Sequence, residues 1–129
     1  MKNTHQQSIQ DCLPDLIGLP YDDYDCWGIV REFYKRHFKT DLEQYLYKDP
    51  NNHKEISKLI IKESPNYRKV LNPRFGDIIL MRLYGLPAHL GIYIDENKIL
   101  HTTDKTGSIV DSFQYWEKRI LGFYRYGQD

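Results

Sequence analysis

The stretch Asp25-Cys26-Trp27-Gly28-Ile29-Val30 determines how the rest of this sequence is interpreted. Aspartate is a strong helix N-cap, so a helix is predicted to run from Cys26 to Phe38. Apolar residues recur at helical spacing through this segment, which gives the helix one face to bury. Cys26 therefore stands in the first helical turn, where unpaired backbone N–H groups and the helix dipole stabilise a thiolate. We expect Cys26 to have a lowered pKa and to be reactive.

Two further helical segments are predicted on either side of this helix. Residues Thr4 to Ile17 carry an apolar stripe that Pro14 interrupts, and Gly18-Leu19-Pro20 ends the segment. Another helix is predicted from about Asn52 to Glu63, stopped by Ser64-Pro65-Asn66.

After Asn72-Pro73 the apolar pattern changes from helical spacing to alternation. Five short strands are predicted, at Ile78 to Arg82, His89 to Asp95, Lys98 to Thr102, Ser108 to Ser112 and Ile120 to Tyr126. Helices first and antiparallel strands second give an α+β order rather than alternating βαβ units. The chain has 129 residues, so we expect a single domain over residues 1–129.

Two histidines in or beside these strands complete a candidate reactive site. His89 stands at a strand entrance, and a neutral imidazole near pH 7 suits removal of a proton from a thiol. His101, on the next strand, is expected to orient His89 through a ring-nitrogen hydrogen bond, so that Cys26 would be the nucleophile and His89 the base. We expect the rings of His89 and His101 to lie on the same face of the sheet, towards Cys26. Because side chains alternate along strands, this arrangement requires a three- or five-residue loop or a bulge near Asp95 to Lys98.

The same three residues leave open a second chemical interpretation, a zinc site of one cysteine and two histidines. The sequence has no closely spaced ligand pair such as Cys-x-x-Cys and no His-Glu-x-x-His motif. We therefore expect neither a metal nor a cofactor. The other candidate ligands have structural explanations. Cys12 is assigned to the core, and His5, His37 and His53 are assigned to the surface or to helix faces. Asp22, Asp23 and Asp25 are assigned to caps and solvated turns.

The composition argues against several classes of protein. There are 18 basic and 18 acidic side chains and no basic run, so nucleic acid is not an expected partner. No apolar run is long enough to span a membrane, and the first residues lack the apolar stretch of a signal peptide. We expect synthesis in the cytoplasm, and two reduced cysteines fit that compartment. The 11 tyrosines favour strands and contact with polar polymers.

Taken in order, these motifs resemble those of the NlpC-type family of cell-wall cysteine peptidases, which are compact relatives of papain. The matching features are Tyr21, Asp25-Cys26-x-Gly28, Gly76-Asp77, His89-Leu90-Gly91-Ile92-Tyr93 and His101. The resemblance implies a papain-like fold with N-terminal helices packed on a C-terminal antiparallel sheet of about five strands. It also implies hydrolysis of a peptide-stem amide of peptidoglycan through a thioester, typically between D-glutamate and a diamino acid.

Groups that would bind the substrate are expected near Cys26. Its backbone N–H and the Tyr21 hydroxyl would donate to the developing oxyanion. Trp27 stands where many members of the family have serine, and it is expected at the substrate groove.

Two segments narrow the resemblance to one branch of the family. Residues Asp25 to Arg31 and Ile120 to Arg125 are similar to those of small peptidases encoded with phage tail-assembly genes. This similarity implies carriage in the phage tail, with tail-tip proteins as partners and the host cell wall as target. The alternatives are a tail component with a dispensable site, or a papain-like acyl-transfer or deamidation enzyme that acts on protein.

Overall fold

A computed structural model describes residues 14–45, 47, 49 and 51–127. Helix α1 spans Cys26–Phe38, helix α2 spans His53–Glu63, and the short helix α3 spans Phe113–Trp116. The strands are β1 Arg68–Val70, β2 Ile78–Leu83, β3 Leu86–Asp95, β4 Lys98–Thr103, β5 Gly107–Ser112 and β6 Ile120–Arg125. Within these described ranges, none of the helices combines the length and the hydropathy that crossing a membrane requires.

Helix α1 begins and ends at the predicted residues. The Asp25 carboxylate accepts the backbone N–H of Gly28 at 2.8 Å, which satisfies one of the unpaired donors of the first turn. At the other end Lys39 adopts a left-handed conformation with φ of 54°, and its backbone N–H closes the last turn on Tyr34. The fully buried face of this helix consists of Ile29, Val30 and Phe33.

The N-terminal segment is described only from Pro14. Residues 14–16 are helical and the chain turns at Ile17 and Gly18, as predicted. Leu16 is buried, but Ile17, which was expected on the same apolar stripe, is 47% exposed. That assignment of Ile17 is wrong because the helix ends before its side chain reaches the core. The predictions for His5 and Cys12 fall outside the described residues.

Within the described residues, the strands form one six-stranded antiparallel sheet in the order β1-β6-β2-β3-β4-β5. All five predicted strands are present, with ends that differ from the prediction by at most three residues. The sixth strand, β1, was not predicted. It has three residues, two exposed and one half-buried, so it carries no alternating apolar pattern. Among the described strands, β6 is its pairing partner. The α+β fold with helices packed on the sheet is confirmed.

The sheet is covered on both faces by apolar side chains. A helix-side cluster joins α1 to even-numbered sheet residues, among them Leu80, Leu90 and Leu100. An opposite cluster, which we call the Trp116-side cluster, consists of the buried residues Ile79, Met81, Ile99 and Trp116 with partly buried neighbours. This division follows the alternation of side chains along each strand.

A bulge in β3 sets how this strand pairs with β4. The two-residue turn between them pairs Asp95 with Lys98, whereas Tyr93 pairs with Ile99. Because Ile94 is an extra residue on β3, the numbers of paired residues add to an odd total at the turn and to an even total before Ile94. In the even register, odd-numbered residues of β3 and of β4 point to the same face of the sheet. The two candidate histidines therefore share a face, as the proposed site requires.

A buried ion pair connects the start of β2 to the end of β6. Arg125 donates to both carboxylate oxygens of Asp77, at 2.8 and 2.7 Å. Asp77 also accepts the backbone N–H of Arg74 at 2.7 Å. Gly76, with φ of 92°, lies so close to Phe38 that a β-carbon would come within 2.5 Å of its ring. The Gly76-Asp77 motif is thus explained by packing and by this ion pair.

Candidate active site

The side chains of His89 and His101 are hydrogen-bonded to each other beneath the surface. Nε2 of His89 lies 2.9 Å from Nδ1 of His101. The two residues are 5% and 1% exposed, respectively. The predicted contact between the rings is therefore confirmed, while their catalytic roles remain a prediction.

The chain of hydrogen bonds continues to a carboxylate that sequence reasoning missed. Nε2 of His101 donates to Oδ2 of Asp111 at 3.0 Å, and the indole N–H of Trp116 donates to the same oxygen at 3.0 Å. The other oxygen accepts the backbone N–H of Ser112 at 2.8 Å. A signal was present, because Asp111 is the acidic residue of the predicted strand Ser108 to Ser112. Strand β5 places it two residues from Ile109, the partner of His101.

Trp116 covers both imidazole rings. Its ring centroid lies 5.5 Å from that of His89 at an interplanar angle of 31°, and 4.9 Å from that of His101 in an edge arrangement. The Arg119 guanidinium lies 5.0 Å from the indole centroid, on the ring face. This layer removes water from the histidine pair on the face of the sheet opposite to α1 and α2.

The thiol of Cys26 meets the sheet where β3 and β4 separate. Pairing between these strands extends no further toward the start of β3 than Ile92. The backbone of Tyr93 bonds on the β2 side, so by alternation the N–H of Leu90 points to the β4 side. There it lies within hydrogen-bonding reach of the Cys26 sulfur. Because His89 immediately precedes Leu90, the sulfur lies beside the backbone of the candidate base.

The prediction that both rings point toward Cys26 is confirmed only in part. The rings share a face, but it is the face of the Trp116-side cluster, whereas Cys26 packs in the helix-side cluster. No hydrogen bond joins the Cys26 thiol to His89 in the described part of the chain. The Cys26 thiol and the His89 imidazole thus lie on opposite faces of the sheet, at the gap between β3 and β4.

The expected lowering of the Cys26 pKa is wrong for this state of the protein. Burial and the neighbouring Asp25 carboxylate raise the pKa of the thiol to about 12. The backbone N–H groups of Leu90, Trp27 and Cys26 itself act in the opposite direction but do not compensate. The lowering of the Cys26 pKa by the helix N-terminus is therefore smaller than the increase caused by removing the sulfur from water.

The two histidines are also held uncharged. Burial, followed by the charges of His101 and His53, lowers the pKa of His89 to about 3. Burial also lowers the pKa of His101, although the hydrogen bond and the charge of Asp111 oppose this shift. At neutral pH the site therefore contains a neutral thiol and two neutral imidazoles.

Tyr21 and Tyr47 lie close enough to Cys26 for its charge to affect them. Burial, then the charges of Cys26 and Asp25, raise the pKa of Tyr21, so its hydroxyl remains a donor at neutral pH. Tyr47 donates its hydroxyl to Asp25, the N-cap of α1. Burial and this bond raise the pKa of Tyr47. The expected position of Tyr21 beside the nucleophile is consistent with this electrostatic coupling.

Trp27 is mostly buried and serves as a wall. Its indole N–H donates to the backbone carbonyl of Glu43 at 2.9 Å, and its ring centroid lies 5.5 Å from that of Tyr45 and 6.1 Å from that of Tyr67. Together these rings line an apolar cavity that reaches Cys26. On the other side of Tyr45 a polar groove is lined by side chains of both charges, among them Asp22, Asp23, Arg31, Lys35 and Asp41.

The described residues include no group of three or more histidine, cysteine, aspartate and glutamate side chains arranged to hold a metal ion. In the candidate site, one nitrogen of His89 and one of His101 face each other at 2.9 Å. A ligand set requires lone pairs that converge on a common point, and these two do not.

Comparison with known proteins matches most of the chain to one family. The NlpC/P60 family model covers residues 15–125. The chain is 30% identical over 97 residues to the murein DD-endopeptidase MepS/murein LD-carboxypeptidase of Escherichia coli K12, and equally to the protein of that name in strain O157:H7. The match covers 74% of this chain and 45% of those relatives, so the chain spans about half their length.

A solved structure shares the fold. It is described as similar to a lipoprotein of the NLP/P60 family from Staphylococcus aureus, and it superposes with a TM-score of 0.64 at 18% identity. The superposition covers all of this chain and 43% of that one.

Proposed function

The chain belongs to the NlpC/P60 family, and on this basis we propose that it is a cysteine peptidase that hydrolyses stem-peptide amides of bacterial peptidoglycan. Two features of the site carry the proposal: the hydrogen-bonded pair of His89 and His101, and a thiol at a helix N-terminus that lies against the backbone next to His89. Support also comes from the E. coli relatives, which are named as murein endopeptidases.

The proposed reaction begins with uncharged groups. Because Nε2 of His89 bonds to His101, Nδ1 is the ring nitrogen left to receive the thiol proton. As Cys26 attacks the substrate carbonyl carbon, its proton moves to Nδ1 and a tetrahedral intermediate forms. Collapse of this intermediate breaks the C–N bond, and Nδ1 returns the proton to the leaving amine. A thioester remains on Cys26.

Water completes the cycle. His89 takes a proton from the attacking water, the thioester C–S bond breaks, and the thiol recovers its proton while the acid product leaves. The backbone N–H of Cys26 and the Tyr21 hydroxyl are proposed to stabilise the oxyanion in both steps. The Cys26 and Trp27 N–H groups both lie near the sulfur, which supports this part of the proposal.

Digestion of purified muropeptides tests the proposal. The wild-type protein and Cys12→Ser are expected to release stem-peptide fragments, whereas Cys26→Ala and His89→Ala are expected to release none. His101→Asn should retain measurable turnover, because an orienting residue needs only a hydrogen-bonding atom. Turnover by folded Cys26→Ala at the wild-type rate would exclude Cys26 as the nucleophile.

Mass spectrometry of the products identifies the cleaved bond. We propose the amide between D-glutamate and the diamino acid, which leaves a free amine on the diamino acid. Cleavage of a D,D-peptide bond instead would reject this bond and favour the DD-endopeptidase activity named for the E. coli relatives.

We also propose that the enzyme is carried at a phage tail tip. The support is the similarity of residues Asp25 to Arg31 and Ile120 to Arg125 to tail-associated peptidases. Immunogold labelling of tails assembled from the genome that encodes this chain should mark the tip. Tails that are complete and unlabelled would contradict this location.

A further inference from the structure

The strongest unassigned feature of the molecule is the carboxylate at the end of the histidine chain. Asp111 does not reach the Cys26 side of the sheet, yet it bonds the ring nitrogen of His101 that faces away from His89. Its Oδ2 accepts two side-chain N–H groups and its Oδ1 accepts a backbone N–H. Burial by itself would raise the Asp111 pKa, but the bonds from Trp116, His101 and Ser112 together lower it, so the group is an anion at neutral pH.

An ionised carboxylate can only accept hydrogen bonds, and this determines where each proton lies. Nε2 of His101 must carry a hydrogen to bond Asp111. In a neutral ring Nδ1 of His101 is then bare, and it can bond His89 only by accepting a hydrogen from Nε2. Neutral His89 is thereby left with a bare Nδ1. Because Asp111 can only accept, the donor and the acceptor are determined in both hydrogen bonds, the one from His101 to Asp111 and the one from His89 to His101.

We propose that Asp111 is a positioning residue which fixes the tautomer of His101 and, through it, keeps Nδ1 of His89 free to accept the thiol proton. The catalytic consequence rests on the proposed peptidase function, whereas the tautomer is a property of the resting protein. Asp111 also places a negative charge at the far end of the chain, which stabilises the imidazolium formed when His89 takes the proton.

Trp116 shows that an acceptor is required at this place. The indole N–H and the Nε2–H of His101 both donate to Oδ2 of Asp111. An amide nitrogen in that position is itself a donor, so neither N–H group would have an acceptor there. Asp111→Asn is therefore expected to keep its carbonyl oxygen in that position and to lose the bond to the Ser112 N–H. This variant retains the acceptor and removes the charge, while Asp111→Ala removes both.

Nitrogen-15 NMR of the histidine rings, with muropeptide kinetics, tests the proposal. The wild-type protein and Asp111→Asn should show His101 and His89 protonated on Nε2, and Asp111→Ala should show a mixed or reversed tautomer of His101. We expect kcat to fall about 10–100-fold in Asp111→Ala, by less in Asp111→Asn, and KM to be unchanged. Glu96→Gln, an exposed carboxylate change on the β3–β4 turn, is the matched control and should behave as wild type.

Trp116→Phe separates positioning from simple support. It keeps an aromatic ring over the histidines and removes only the indole donor, so the Nε2–H tautomer and most of kcat should remain. If Asp111→Ala keeps the wild-type tautomer, or if Trp116→Phe lowers kcat as much as Asp111→Ala does, the proposal is overturned. A protein that fails to cleave muropeptides but shows these tautomers would reject the peptidase function, while the part of the proposal in which Asp111 fixes the tautomer would stand.

Discussion

At the scale of single residues, Cys26, the proposed nucleophile, is an uncharged thiol in the resting protein. The pKa of Cys26 is raised to about 12 by burial and Asp25, and that of His89 is lowered to about 3 by burial and nearby histidine charges. A standing thiolate–imidazolium pair requires the opposite order of these two pKa values. In the proposed reaction we therefore expect proton transfer to accompany attack on the substrate rather than to precede it.

Alkylation kinetics test the uncharged resting state. In a Cys12→Ser background only Cys26 reacts, and its rate with iodoacetamide should rise about tenfold per pH unit between pH 7 and 10, because the thiolate fraction grows that way below the pKa. His89→Ala should leave the rate at pH 7 nearly unchanged. A rate that is flat from pH 5 to 8 and falls in His89→Ala would instead demonstrate a preformed ion pair.

The absence of a side chain at Gly91 leaves room for the side chain of His101 on the neighbouring strand. A β-carbon at this position would lie 2.9 Å from the Leu100 carbonyl oxygen and 3.2 Å from Cβ of His101. We expect Gly91→Ala to reduce the free energy of unfolding by about 1–3 kcal/mol and to lower turnover by displacing His101.

The matched control for Gly91 is another strand glycine. At Gly122 a β-carbon would first meet the flexible end of Lys69, at 2.9 Å, which can move away. Urea unfolding of both alanine variants provides the comparison. Equal losses would show that crowding around His101 is not the cause.

At the scale of secondary-structure elements, the sequence predicted what is encoded locally. The Asp25 cap and the apolar spacing define α1, and alternation defines the strands that the core covers. Strand β1 could not be predicted because its residues gain their hydrogen bonds from β6, which lies more than 50 residues away. The bulge at Ile94 was one of several turn solutions compatible with the sequence, and tertiary packing selected it.

The candidate site shows the same limit. The contact between His89 and His101 was predicted from their positions in neighbouring strands, and the place of Tyr21 near Cys26 was predicted from the motif. The pKa values were not, because the desolvation of Cys26 depends on side chains from α1 and β3 meeting in space. Asp111 was missed because its role depends on the register of β4 and β5.

The ion pair between Asp77 and Arg125 tests how β2 and β6 are joined. Both side chains are largely buried, at 4% and 12% exposed, so removal of one leaves an uncompensated charge. We expect Asp77→Ala to lower the free energy of unfolding by about 3–5 kcal/mol. Asp41→Ala breaks the exposed pair with Arg31 and should cost less than about 1 kcal/mol. Similar losses in the two variants, measured by urea unfolding, would contradict this account.

At the scale of the whole molecule, the neutral histidines make stability depend on pH. The folded protein holds the pKa of His89 at about 3, whereas the unfolded chain has the ordinary value of about 6.5. Below pH 6.5 the His89 imidazole binds a proton in the unfolded state, whereas in the folded state it stays unprotonated until the pH approaches 3. The contribution of His89 is therefore complete above pH 6.5 and is lost as the pH falls toward 3, with a limiting slope of about 1.4 kcal/mol per pH unit.

We therefore expect the free energy of unfolding by urea to be lower at pH 5.0 than at pH 7.5, by about 2 kcal/mol from His89 alone. The lowered pKa of His101 acts in the same direction. His89→Gln keeps a polar side chain that cannot titrate, so its difference between the two pH values should be smaller than that of the wild type. Glu96→Gln should retain the full difference. If His89→Gln shows the same pH dependence as the wild type, His89 is not held neutral by the fold, and the uncharged starting state proposed for the reaction loses its support.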